Sequence, residues 1–256
     1  MWYWTKILFL ILLGAIGVWL LYEVVTFPRI SNLKTENPAT TSMIEHRLSE
    51  ARADQREPRK YMIWTPIEQI SPNLQRAVLA GEDTHFFQHN GFDWDAIQKA
   101  WDDGMAEGEK EAREEGDYDP NDWIPTMPSF KRGASTITQQ LAKNLYLSED
   151  RNFLRKGREA LYTYFLERDL SKKRILELYL NVIEWGDGVY GAEAASRTYF
   201  NQSASALTPQ EAAYLAAMIP SPLNVFNPKT NPKRVQRRQR IIQKSMNAVR
   251  LDYSVK

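Results

Sequence analysis

The spacing of apolar residues predicts a mainly α-helical protein. After residue 70, apolar residues recur at intervals of three and four, whereas the alternation that is typical of strands is scarce. Ser71 and Pro72 predict the start of a helix that carries Leu74, Val78 and Glu82 on one face. Further helices are predicted from Ser148 to about Asp169, over residues 175–182, from Thr208 to just before Pro220, and from Asn231 to about Val249.

The first 27 residues form a separate segment. Residues 7–22 are apolar and uncharged, and residues 24–27 continue this run past Glu23. Because about 20 apolar residues cross the core of a bilayer, the run predicts one transmembrane helix within residues 1–27. A cleaved signal peptide is the alternative, but no small-residue cleavage site follows. We expect the N-terminus inside the cell and the body of the protein outside.

The remaining chain divides into a tether and one folded domain. Residues 28–57 are polar with little periodicity and are interpreted as a tether or a loosely packed first segment, and residues 58–256 as the domain. Within the domain, residues 102–130 are interpreted as an acidic, mobile insertion, because residues 102–122 carry ten acidic and two basic side chains. The last helix is basic, yet the net charge is +1, so we interpret charge as local and expect no nucleic-acid partner. The absence of cysteine excludes disulfides and Cys-ligated zinc.

Acidic, aromatic and histidine side chains crowd the end of the Ser71 helix, in residues 82–93. Glu82 follows Val78 on an apolar face, so partial burial should raise its pKa and make it a better general base. A capping or ion-paired glutamate is the structural alternative. Asp83, Phe87 and His89 are candidate substrate contacts from the same segment.

A second cluster lies in residues 133–144. Ile137 and Leu141 should face the core, which would place Thr136, Gln140 and Lys143 together on the polar face. Hydroxyl and amide groups in this arrangement suit the hydroxyl and N-acetyl groups of a sugar, although a plain polar helix face is the alternative. The candidate substrate contacts here are Ser135, Thr136, Gln139, Gln140 and Lys143.

A third cluster combines Arg151, Arg155, Lys156 and Glu159. The spacing permits intrahelical ion pairs worth only about 0.3 kcal/mol each. It equally suits a cationic site for phosphate oxygens, in which arginine offers a bidentate fork and lysine a point charge.

Four blocks in the order EDTHFFQHNGFD, GASTITQQLAKN, RKGRE and KRILELYLN are similar to the signature blocks of family 51 glycosyltransferases. These are peptidoglycan polymerases, found in bifunctional penicillin-binding proteins and as monofunctional enzymes. The resemblance covers about residues 70–246, and the chain resembles the monofunctional type because no transpeptidase domain follows. Ala134 and Gln243 depart from the family pattern, and the acidic insertion is longer than expected.

The resemblance implies a lysozyme-like, two-lobed, mainly α domain that follows the transmembrane anchor. It also implies that the protein lies at the bacterial inner membrane, with this domain on the periplasmic side. Donor and acceptor would both be glycans linked to polyprenyl diphosphate. Glu82 would be the general base and Glu159 a second catalytic carboxylate. Cations would hold the diphosphate, with Mg²⁺ or Mn²⁺ near Glu159 as an open possibility. The bilayer, other cell-wall synthases and division proteins are the expected partners.

Three other functions remain open at this point. A lysozyme-like enzyme that cleaves peptidoglycan would also carry a glutamate at a helix end, but it would not need the cationic cluster. A metallohydrolase would use His85 and His89 beside Glu82 and Asp93, although no third ligand is evident. An inactive, membrane-anchored scaffold would bind anionic lipid or a partner through the basic last helix.

Overall fold

The computed structural model describes residues 2–115, 129, 135–147 and 153–255. As predicted, the protein is mainly helical. The helices are α1 (Trp2–Thr26), α2 (Ser42–Ala53), α3 (Pro72–Glu82), α4 (Trp94–Glu115), α5 (Ile137–Tyr146), α6 (Phe153–Asp169), α7 (Lys172–Val182), α8 (Ala192–Phe200), α9 (Pro209–Met218) and α10 (Pro232–Ser245). Short 3₁₀ turns span Ile30–Lys34, Ile67–Gln69, Ala204–Ala206 and Met246–Ala248.

A small sheet joins the helices. Its strands β1 (Tyr61–Met62), β2 (Glu184–Gly186) and β3 (Val189–Tyr190) lie in the order β1-β3-β2. β1 pairs with β3 in parallel and β2 pairs with β3 in antiparallel register. Strands this short leave no long alternating pattern in the sequence.

Local capping explains where several helices begin. Ser71 Oγ accepts from the backbone N–H of Asn73 at the start of α3, with Pro72 in the first turn. Thr208 and Glu211 form the predicted capping box of α9. α10 begins after Asn231 as expected, but the Asn231 side chain makes no capping hydrogen bond. Ser148, the predicted cap of α6, lies outside the described residues.

The segment interpreted as a tether is folded. Thr41 Oγ1 caps α2 by accepting from the N–H of Ile44, and Ile44 is fully buried. Ile30 and Leu33, in the turn before it, also belong to the main core. α2 packs against α5. The tether interpretation is therefore wrong, because a few buried side chains in a polar segment are enough to hold it against the domain.

The acidic insertion is not a loop throughout. The acidic insertion is helical over its first part, since α4 continues to Glu115, and the remainder up to residue 128 lies outside the described residues.

α1 covers the N-terminal apolar run, so its helical form is as predicted. None of the helices in the described part of the chain combines the length and the apolar character that crossing a bilayer requires. The two-lobed, lysozyme-like shape stays a prediction.

The main core lies between α3, α5, α7 and α9. Tyr179, Trp185 and Phe86 are its largest fully buried aromatic side chains. α3 packs against α9 and α10, and α5 packs against α6 and α7. These contacts bring the end of α3, the first turns of α5 and the middle of α10 to one place.

Candidate active site

Glu82 is the last residue of α3, and the helix register decides its surroundings. Leu74 and Val78, eight and four positions earlier, are fully buried. The same face continues to Glu82, whose side chain is only 8% exposed. The predicted placement of this carboxylate on an apolar face is therefore confirmed.

Two donors from distant parts of the chain hold the Glu82 carboxylate. Arg238 Nη2 in α10 donates to Oε1 over 2.7 Å and also to the carbonyl oxygen of Gly81 over 2.9 Å. Gln140 Nε2 in α5 donates to Oε2 over 3.0 Å. Glycine at position 81 lets α10 lie this close to the end of α3. A Cβ at that position would be only 3.0 Å from Ile242 Cδ1 in α10, which is tighter than an ordinary contact. Each carboxylate oxygen thus has one fixed donor.

Burial raises the pKa of Glu82 above its ordinary value, although the Arg238 charge and the Gln140 hydrogen bond oppose the shift. Gln140 is oriented in turn by Tyr179, whose hydroxyl donates to Gln140 Oε1 over 2.8 Å. Burial and the nearby Glu82 raise the pKa of Tyr179 well above its ordinary value, so the hydroxyl keeps its proton. The amide therefore presents its NH₂ group to Glu82, in an arrangement that suits a proton acceptor.

Asp83 and His89 stabilise the loop after α3. Asp83 Oδ2 accepts from the backbone N–H of Ile137 over 2.9 Å, and Asp83 Oδ1 lies 3.0 Å from His89 Nε2. His89 Nδ1 accepts from the N–H of Gly91 over 3.2 Å, which leaves Nε2 as the donor to Asp83. Both side chains are almost fully buried. These contacts fix the start of α5 beside Glu82 and give Asp83 and His89 a supporting role in the site.

Thr136 and Gln139 are also committed to the protein. They form the capping box of α5, and Thr136 Oγ1 donates to the carbonyl oxygen of Gly91 over 2.7 Å. Both residues are buried. The expected polar face shared by Thr136, Gln140 and Lys143 is therefore wrong in one respect. α5 begins at Ile137, so Thr136 is its N-cap and its hydroxyl is already bonded.

Two clefts flank the Glu82–Gln140 contact. The first, which we call the base cleft, has a volume of about 400 Å³ and is lined by Glu82, Ser135 and Lys99 among others. The second, the lysine cleft, has a volume of about 190 Å³ and is lined by Gln140, Lys143 and Arg47 among others. Arg47 belongs to α2, so the segment mistaken for a tether contributes to the site.

The predicted cationic cluster forms on α6. Arg155 Nη1 donates to Glu159 Oε2 over 2.9 Å, and Lys156 Nζ pairs with Glu159 Oε1. The Glu159 side chain is 5% exposed, whereas that of Lys156 is 53% exposed. None of the three lines the base cleft or the lysine cleft. Arg151 lies outside the described residues.

Phe87 packs in the core and lines neither cleft. Its ring lies 5.1 Å from the ring of Phe86 and 5.6 Å from that of Tyr253, measured between centroids. The structure therefore does not bring Phe87 together with the other predicted substrate contacts.

Among the described residues, no set of side chains fits a divalent ion held by the protein. Both oxygens of Glu159 are ion-paired to cations. His85 Nδ1 contacts Asp93 over 3.0 Å while His89 contacts Asp83, so the two histidines do not converge. No grouping of three or more candidate ligands occurs among the described residues.

Arg238 and Tyr179 are two residues of the candidate site that the sequence does not single out. Val235 and Ile242 are buried, and Arg238 lies three residues after one and four before the other. An arginine on the core-facing stripe of a helix is a readable signal, because a buried cation needs a carboxylate partner. Tyr179 lies in the predicted helix over residues 175–182, and Gln140, the partner of its hydroxyl, is 39 residues away along the chain.

Comparison with known proteins finds relatives over most of the chain. The sequence model of the family described as Transglycosylase matches residues 48–116 and 124–247. A protein of Chromobacterium violaceum is 42% identical over 247 residues, which cover 96% of this chain and 99% of that protein. A protein of Laribacter hongkongensis is 42% identical over 239 residues (92% and 94%), and one of Azoarcus sp. is 44% identical over 211 residues (82% and 83%). All three are named biosynthetic peptidoglycan transglycosylase.

Proposed function

The chain belongs to the transglycosylase family, and on that premise we propose that it polymerises the glycan strands of peptidoglycan from a lipid-linked disaccharide–peptide. The names of the relatives support peptidoglycan transglycosylase activity, which is a glycosyltransferase activity. The choice of lipid-linked donor and acceptor follows from the resemblance of the four sequence blocks. One observation carries the mechanism: a buried carboxylate with a raised pKa lies at the edge of a cleft.

Glu82 is the proposed general base. Its carboxylate takes the proton of the acceptor's 4-hydroxyl as that oxygen attacks the anomeric carbon of the donor. The new glycosidic bond forms while the bond from the anomeric carbon to the diphosphate oxygen breaks, and the configuration inverts. Arg238 and Gln140 hold the carboxylate in position, and the raised pKa makes it a stronger base than an ordinary carboxylate.

The leaving group requires positive charge more than a strong acid. Polyprenyl diphosphate departs as a stable anion, so fixed cations that meet its developing charge assist the step. Lys143 in the lysine cleft and the Arg155–Lys156 pair on α6 are the proposed cations, with Arg151 added from the sequence. Glu159 orients the α6 pair.

A peptidoglycan-cleaving enzyme fits the second carboxylate less well. An inverting glycosidase needs a protonated carboxylic acid to protonate a poor leaving group. Glu159 instead pairs with two cations, Arg155 and Lys156, so both of its oxygens are already engaged. Its surroundings suit an electrostatic role in transfer to the acceptor sugar.

The direct test is incubation of the full chain with lipid-linked disaccharide–peptide and separation of the products on a gel. We expect strands from the wild type and a loss of roughly 10²–10⁴-fold in rate for Glu82→Gln, the range that general acid–base catalysis contributes. Circular dichroism of the same samples checks that both proteins are folded. Polymerisation by Glu82→Gln at the wild-type rate would contradict the role of Glu82, and an inactive wild type would contradict the proposed function.

We further propose that α1 attaches the enzyme to the bacterial inner membrane, with the domain on the periplasmic side. Phe9, Ile11 and Val18 of α1 are more than half exposed. Phe27, which follows α1, packs against Tyr162 and Phe165 of α6 with centroid distances of 5.3 Å and 4.8 Å. Attachment would confine enzyme and lipid-linked substrates to one surface and raise their effective concentration.

Flotation with liposomes tests this attachment. The comparison is between the full chain and a chain without residues 2–26, which keeps Phe27 and the buried Ile30 and Leu33. We expect the shortened chain to float less and to polymerise more slowly on liposomes, with activity in detergent maintained. Equal flotation of both proteins would show that α1 is not the membrane contact.

A further inference from the structure

A third cleft lies beside the base cleft, between the end of α3 and the start of α4. Its volume is about 480 Å³, within the roughly 300–1,000 Å³ range of small-molecule sites. His85 and Asp93 line both this cleft and the base cleft, so the two adjoin at these side chains. We call it the aromatic cleft.

Its first distinctive feature is an exposed aromatic surface. Trp94 is 70% exposed, which is unusual for so large an apolar side chain. Its ring stacks on Phe92, with centroids 5.7 Å apart and planes inclined by 27°. This contact holds the indole in a defined orientation and leaves much of its surface accessible.

The second feature is a set of polar groups around that ring. Asp93 accepts from the N–H of Ala96 over 2.9 Å and contacts His85 over 3.0 Å, so its position is fixed. Although its partial burial acts in the opposite direction, these two hydrogen bonds lower the pKa of Asp93, which stays ionised at neutral pH. The side-chain amides of Gln88 and Asn90 also line the cleft. Within the described part of the chain they make no hydrogen bond.

The third feature is the sign of the charge. The cleft is lined by two carboxylates, Asp93 and Asp95, and no lysine or arginine is among the described residues that line it. A diphosphate or an acidic stem peptide would be repelled there. A neutral sugar has an apolar ring face for the indole and hydroxyl or N-acetyl groups for the amides and carboxylates.

We propose that the aromatic cleft is a saccharide subsite that binds a neutral N-acetylhexosamine unit of the glycan strand next to the units that react at Glu82. This inference rests on the proposed function. A strand whose reacting end lies in the base cleft continues past His85 and Asp93 into the aromatic cleft. The subsite would hold the strand during repeated additions through contacts that do not depend on the diphosphate.

The test measures binding of a neutral oligosaccharide of N-acetylglucosamine to the full chain in detergent, by calorimetry. Trp94→Ala should weaken binding about tenfold, the effect of losing one aromatic stacking contact with its buried area. The matched control is Trp101→Ala. Trp101 lies on the same helix and is 50% exposed, but it does not line the cleft, so its variant should bind as the wild type does.

Wild-type affinity in Trp94→Ala would overturn the proposal, and so would equal weakening by both variants. The rival explanation is a membrane contact through the tryptophans of α4. In that case both variants would float less with vesicles of phosphatidylethanolamine and phosphatidylglycerol, while oligosaccharide affinity stayed unchanged. An active wild type with no oligosaccharide binding would refute the subsite alone. Failure of the wild type to polymerise lipid-linked substrate would refute the proposed function.

Discussion

Glu82 and Glu159, two glutamates with largely buried side chains, differ in how their surroundings are made. Glu82 is held by Gln140 and Arg238, which are 58 and 156 residues away along the chain. Glu159 is held by Arg155 and Lys156, which are four and three residues away on its own helix. Their side chains are similarly buried, with 8% and 5% exposed.

This difference separates two kinds of carboxylate. Tertiary packing buries the Glu82 carboxylate and places one cation, Arg238, beside it. Burial raises its pKa more than Arg238 lowers it, so the pKa of Glu82 is raised. Local sequence gives Glu159 two cations, one for each oxygen. Carboxylates whose environments differ in this way commonly divide the chemical roles between them. Glu82 is suited to accept a proton, and Glu159 to position positive charge.

After Glu82→Gln, the largest effect is expected from removing a cation beside Glu159. Lys156→Ala should lower kcat/KM for polymerisation roughly 10²-fold, the scale observed when one electrostatic donor to a developing anion is lost. Lys156→Arg, which keeps the charge, should retain most of the activity. Steady-state rates at subsaturating lipid-linked substrate measure both.

Arg168→Ala is the matched control for this prediction, because Arg168 is a half-exposed cation at the far end of the same helix and pairs with Asp169. It should leave the rate near that of the wild type. Equal losses in the Lys156 and Arg168 variants would mean that general helix charge matters rather than the cluster.

The next effect concerns the pH dependence. The Arg238 charge lowers the pKa of Glu82 against the effect of burial, so Arg238→Ala should raise that pKa further. The base would then be protonated at higher pH, and the acid limb of the pH–rate profile would move upward. At a fixed pH on the acid limb, Arg238→Ala should be slower than the wild type, and each tenfold loss would correspond to about 1.4 kcal/mol of protonation free energy.

Arg237→Ala provides the comparison, because Arg237 is the neighbouring, exposed arginine of α10. Its pH–rate profile should coincide with that of the wild type. An unchanged acid limb in Arg238→Ala would show that Arg238 does not set the charge state of the base.

The smallest effect is expected from Tyr179→Phe. The variant lacks the hydroxyl that orients Gln140, and a neutral hydrogen bond contributes about 0.5–1.5 kcal/mol. We expect kcat to fall two- to tenfold with KM nearly unchanged. Tyr253→Phe removes another Tyr–Gln hydrogen bond, to Gln75, away from the site, and should affect thermal stability but not kcat. Equal kcat losses in both variants would point to general destabilisation.

Local signals predicted much of the fold. Ser71, Pro72 and the Thr208–Glu211 capping box mark the starts of α3 and α9 correctly, because capping depends on neighbouring residues. The Arg155–Glu159 pair was predictable for the same reason. The packing of Ile44 was not, because a polar segment with few apolar residues gives a weak periodic signal.

The candidate site was predicted in part. Glu82 and its burial followed from helix register, whereas its contacts with Gln140 and Arg238 depend on how three helices cross. Thr136 was misjudged because a polar residue one position before a helix looks like part of the helix face. Its role as a cap becomes clear only from where α5 begins.

The pH dependence of Glu82→Gln tests the central claim most directly. In the wild type, polymerisation should fall as the pH drops through the raised pKa of Glu82, because the protonated carboxyl cannot accept the acceptor's proton. The residual activity of Glu82→Gln, followed with a fluorescent lipid-linked substrate, should show no acid limb over the same range. An acid limb that survives in Glu82→Gln would belong to another group and would contradict the assignment of Glu82 as the base.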